Sequence, residues 1–99
     1  MERMPRVGVG LEPFMLRSAV ARHLTRSGGF LVSLFDPLET SAWPEHDAVI
    51  VSAPLDLPNA VVIVVFDGSD SLEIRSGGRS RSVPYRGLSG LTSLLLDEL

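Results

Sequence analysis

The chain has 99 residues and a formal charge of −3, from twelve acidic and nine basic side chains. That length supports one domain with a single core, and the acidic balance argues against general nucleic-acid binding by this chain alone. Cysteine is absent, which excludes a disulfide framework and a thiolate-held zinc or iron–sulfur site. All nine basic residues are arginine, so no lysine is at hand to form a Schiff base or to meet a phosphoryl group as an ammonium.

The opening "MERMPRVGVG" has charges but no apolar run before a small-residue cleavage site, so no secretory signal is expected. The longest apolar run, Ala60 to Phe66, is too short to span a bilayer. A cytoplasmic protein is the expectation.

In chain order, "RVGVGL" (Arg6 to Leu11) reads as a first strand. Pro13 suits a first helical turn, and Leu16, Ala19, Val20, His23 and Leu24 form one apolar stripe at helical spacing. Gly28 and Gly29 close that helix, predicted over Pro13 to Ser27. "FLVSLFD" (Phe30 to Asp36) is a second strand, and "PLETSAWPEH" has room for one or two helical turns before Pro44. "DAVIVSA" and "AVVIVVF" are the third and fourth strands, both too uniformly apolar for a sheet with a wet face. "SLEIRSGGRSRSVPY" reads either as a helical turn and a strand or as a hairpin about Gly77-Gly78. In "GLSGLTSLLLDEL", Leu88, Leu91, Leu94, Leu95 and Leu99 keep helical spacing, with Ser89 as the N-cap candidate. This order implies an α/β sandwich with a mainly parallel sheet.

Several features invite a functional reading. Gly8-Val9-Gly10 before a helix suggests a dinucleotide-binding turn, but the third glycine is missing near Leu16. A plain strand-to-helix turn is the simpler reading, and the Gly8–Glu12 turn stays as the alternative site for a nucleotide or small ligand. His23 lies on the apolar stripe and reads as a packed histidine. Glu45-His46-Asp47 reads as a solvated turn, because neighbouring side chains point apart. Arg75, Arg79, Arg81 and Arg86 crowd one segment; they suit a solvated hairpin or a contact with carboxylates, which arginine binds in bidentate fashion. Trp43 suits either a core plug or an interface anchor.

The stretch "RVGVGLEPFMLRSAVARHLTRSGGFLVSLFD" resembles the opening of response-regulator receiver domains, above all those preceding LuxR-type helix-turn-helix domains. "FMLR" (Phe14 to Arg17) sits where that branch has an "LFR"-like turn. "HDAVIVSAP" is similar to the third strand, and "VPYRGLSGLTSLLLDEL" to the last strand and helix. The resemblance covers most of the chain and implies one receiver-like (flavodoxin-like) α/β domain over residues 1–99. In the family, an aspartate after strand 3 is phosphorylated, an acidic pair helps it hold Mg²⁺, and a Thr/Ser and a Lys read the phosphoryl group. The matching positions here are Leu11 and Glu12, Ser52, Phe66 and Arg86. Only Glu12 keeps its chemistry. One carboxylate is a poor Mg²⁺ site, and a serine needs a base to become a nucleophile. The resemblance therefore implies a pseudo-receiver with no catalytic residue, metal or cofactor.

The chain is also short. Seven residues, Ala53 to Asn59, separate the third and fourth strands, where a parallel crossover normally takes a dozen or more. Seven extended residues reach roughly 23–25 Å, enough to return along a strand without a helix; an antiparallel pair is the other solution. On this reading the family's third and fourth helices are lost or reduced, which leaves an apolar sheet face open to a partner. The expected function is a phosphorylation-independent regulatory or dimerisation module of a bacterial transcriptional regulator. Its partner is a second copy or a second domain, and any DNA contact belongs to a separate domain. The candidate interface comprises Trp43, Val62, Val64, Arg79, Arg81 and Leu96.

Overall fold

A computed structural model describes residues 4–35, 46–53, 61–66, 68 and 70–99. Within them the chain forms β1 (Arg6–Gly10), α1 (Phe14–Ser27), β2 (Leu31–Leu34), β3 (Ala48–Val51) and β4 (Val62–Val65). They are followed by β5 (Ser71–Ser76), β6 (Arg79–Pro84) and α2 (Gly87–Glu98). One six-stranded sheet runs in the order β2-β1-β3-β4-β5-β6. Its first four strands are parallel, whereas β5 is antiparallel to both β4 and β6. The third and fourth strands are thus parallel, joined through ten residues of which 54–60 lie outside the described residues. No helix among the described residues is long and apolar enough to cross a membrane.

Side-chain alternation divides the sheet into two faces. On one, Val7, Val9, Ala48, Ile50, Val62 and Val64 join Leu72 and Ile74 of β5 beneath Val20 and Leu24 of α1 and Leu91 and Leu95 of α2. On the other, Val49, Val51, Val61, Ile63 and Val65 form a second cluster with Phe35. All of these residues are buried. Two expectations are corrected here. The second face is not open at these positions, since its central valines and Ile63 are at most 6% exposed. Nor are Val62 and Val64 interface residues: they point to the helix-covered side and belong to its core. Trp43 and the helical turns expected before Pro44 lie outside the described residues.

Of the two readings of "SLEIRSGGRSRSVPY", a helical turn and a strand or a hairpin, the structure has the hairpin. Leu72 and Ile74 face the core two residues apart while Glu73 and Arg75 take the opposite side, where they pair at 3.0 Å. That is strand periodicity. Gly77 and Gly78 then make a two-residue turn with φ of 61° and 81°, the positive values at both central positions that a type I′ hairpin requires. The hairpin moves the last strand outward: β6 is the sheet edge, with β5 between it and β4.

A test follows from this turn. No heavy atom lies within 4 Å of a Cβ built on Gly77, so only backbone conformation resists substitution there. Gly77→Asn, a residue that tolerates this region, should be near neutral, whereas Gly77→Val should cost about 1–2 kcal/mol in urea denaturation.

The helices keep their expected places with two adjustments. In α1 the buried residues are Val20, Ala21 and Leu24, so the stripe is rotated and Ala19 is exposed. In α2 the helix starts at Gly87 with Arg86 as its N-cap residue, and Ser89 is already inside it.

Candidate functional site

The carboxyl ends of β1 and β3 come together at the first turn of α1. The Glu12 amide donates to Ser52 Oγ at 2.9 Å, and the Ser52 hydroxyl reaches back to the Glu12 carbonyl at 3.4 Å. Arg17, one turn into α1, donates from Nε to the Leu11 carbonyl at 2.9 Å. Its other guanidinium nitrogen lies 3.6 Å from the Glu12 carboxylate, and the group stands 5.5 Å from the Phe14 ring centre. Leu11 itself is fully buried. Of the five positions picked out by the receiver resemblance, three therefore meet: Leu11, Glu12 and Ser52.

The other two do not. Phe66 turns into the core, its ring edge-on to Tyr85 with centroids 4.6 Å apart, while its amide donates to the Val51 carbonyl at 2.8 Å. Arg86 follows β6, which stands three strand positions from β3, a lateral offset of about 14 Å. The expected charge opposite Ser52 is displaced because β5 is inserted between β4 and the last strand.

Ser52 forms a latch to the β1–α1 turn. Its hydroxyl is engaged with the main chain of Glu12, and the Glu12 carboxylate is paired with Arg17. Among the described residues no group of three or more His, Cys, Asp or Glu side chains is placed to hold a metal ion. The arrangement ties β3 to the β1–α1 turn across 40 residues of sequence. Ser52→Ala should cost about 1–2 kcal/mol of stability, as expected for one short and one long partly solvated hydrogen bond, and be read from a urea midpoint shift at constant m.

The glycines of β1 have a packing role that sequence reading missed. A Cβ on Gly8 would stand 2.9 Å from His46 Nε2, and one on Gly10 would stand 2.6 Å from Phe35 Cζ. The two rings, 5.8 Å apart, lie over the side-chain-free backbone of β1. His46 bonds through Nε2 to Ser33 Oγ at 2.8 Å, while its buried Nδ1 has no hydrogen-bond partner among the described residues. Asp47 accepts from the Arg6 amide and donates its own amide to the Arg6 carbonyl, both at 2.8 Å. His46 and Asp47 thus form a half-buried joint between β1 and β3, not the solvated turn expected of them. The useful signal was the alternation Gly8-Val9-Gly10, which leaves one strand face without side chains. Arg17 gave a weaker one, as the lone cation of the first turn of α1.

The candidate interface residues divide in the same way. Arg79 and Arg81 are exposed along the β6 edge, with Arg81 paired to Glu98 of α2. Leu96 is 57% exposed. The chain matches no protein-family model, no curated protein and no solved structure.

Proposed function

We propose that the chain is a non-catalytic, receiver-like regulatory module that works through protein–protein association and not through phosphorylation. The observation that carries this reading is the Ser52 hydroxyl. It occupies the phosphoacceptor position of the resemblance and is spent on the backbone of Glu12. Support comes from the strand order β2-β1-β3-β4, all parallel, with a helix after β1, which is the beginning of the flavodoxin-like order. Such a module belongs in the cytoplasm beside a separate DNA-binding domain.

The alternative, a nucleotide or small-ligand site at the Gly8–Glu12 turn, is disfavoured by the same geometry. Phosphate-binding turns use glycine so that the backbone can approach the ligand closely. Here the space over Gly8 and Gly10 is filled by His46 and Phe35.

Incubation with acetyl phosphate and Mg²⁺, read by intact mass, should give no phosphoryl adduct. A stoichiometric adduct that is lost in Ser52→Ala would overturn the proposal.

A further inference from the structure

On the helix-covered face, the edge strand β6 and α2 leave a seam between them. There Leu72 and Val83 of the hairpin face Gly90 and Leu94 of α2 across a hollow of about 300 Å³. Further along the same seam, Ile74 and Arg79 line a second hollow of about 360 Å³.

The charges along this seam are distinctive. Arg79 stands near one end of β6 and Arg86 just past the other, a separation of about 20–24 Å in an extended chain. Both are exposed, and neither has an ion-pair partner among the described residues. Arg81, between them, is already neutralised by Glu98. In a chain of net charge −3, these two guanidinium groups thus bracket a seam whose partly exposed apolar residues are Val83 and Leu94, with Asp97 also lining it beside Arg86.

We infer that this groove between α2 and β6 is the docking site of an acidic amphipathic helix from a partner protein. The inference rests on the association reading above and gives it a surface. An apolar stripe on such a helix would cover Val83 and Leu94, and carboxylates near its two ends would meet Arg79 and Arg86. A span of about 20 Å corresponds to about 14 helical residues. Strand addition is the poorer fit. The outward backbone positions of β6 are Ser80, Ser82 and Pro84, the proline has no N–H to donate, and arginines stud the edge.

The probe is a synthetic peptide of about 14 residues with leucines at helical i, i+3, i+4 and i+7 spacing and glutamates toward both ends. It is titrated into the ¹⁵N-labelled chain. The expected result is saturable amide shifts confined to residues 72–76 and 79–98, an affinity that weakens with salt, and at least a tenfold loss (about 1.4 kcal/mol) in Arg79→Glu/Arg86→Glu. Both positions are exposed, so circular dichroism should show that double variant folded.

The inference is overturned if the peptide gives no saturable shift up to about 1 mM, or if the shifts fall elsewhere. It is equally overturned if the double variant, or a peptide with lysine in place of glutamate, binds as well. Shifts at the same residues from self-association alone, or from a DNA duplex but not the peptide, would reassign the groove and likewise contradict it. Acetyl phosphate labelling is a separate result: an adduct at Ser52 would sink the phosphorylation-independent reading and leave the groove measurement standing.

Discussion

Val64→Asp is expected to leave no folded protein at 25 °C. Val64 is fully buried in the centre of β4, opposite Ile50 of β3 and Ile74 of β5 and under the helix layer. An unpaired carboxylate placed there has no hydrogen-bond partner within the cluster, and such substitutions fall in the tail of about 4–5 kcal/mol or more. Small domains have about 5–15 kcal/mol in total. The control is Leu96→Asp, at an exposed position of α2, which should change stability by no more than about 0.5 kcal/mol. Circular dichroism and urea denaturation of the two variants decide between core and interface for the β4 valines. A well-folded Val64→Asp would put Val64 back on a surface.

The second large effect concerns Gly10. Gly10→Ala should destabilise the chain by about 1–3 kcal/mol, because its Cβ would stand 2.6–2.7 Å from two ring atoms of Phe35, a ring held in the buried cluster with Val49 and Val51. The backbone of Gly10 lies outside the positive-φ region, so the cost is one of space and not of conformation. That distinction is testable. Phe35→Leu alone should cost stability through lost packing, but combined with Gly10→Ala the two effects should fall short of additivity by at least about 0.5 kcal/mol. Strict additivity in urea denaturation would show that the ring does not limit the site.

Much of the architecture was legible from local pattern. The first helix is expected over Pro13 to Ser27 and found over Phe14–Ser27, because its apolar spacing and the two glycines after it act locally. The first four strands were readable as strands, but the parallel pairing of the third and fourth was one of two solutions left open. The hairpin was visible as one of two readings, since Gly77-Gly78 states its turn type plainly. Its consequence was not visible: whether a strand joins a sheet parallel or antiparallel is set by what it packs against, and Leu72 and Ile74 fit under α2 in either direction.

Ser52 was singled out only through the receiver resemblance, and its bonds to Glu12 depend on two strand ends 40 residues apart. The filled second face was missed for a similar reason. Over β1, Phe35 and His46 fit only because Gly8 and Gly10 leave room for them. The arginines of β6 were recognisable as a cluster, yet only the strand register shows which of them remain unpaired.

The proposed function requires that the β1–β3 end take no part in phosphoryl chemistry. The most direct test is a ¹H–¹⁵N titration of the chain with beryllofluoride and Mg²⁺, an aspartyl-phosphate mimic, following the amides of Glu12, Ser52 and Phe66. These signals should show no saturable movement. Saturable shifts at all three, returning to the starting positions when Mg²⁺ is chelated, would contradict the proposed function.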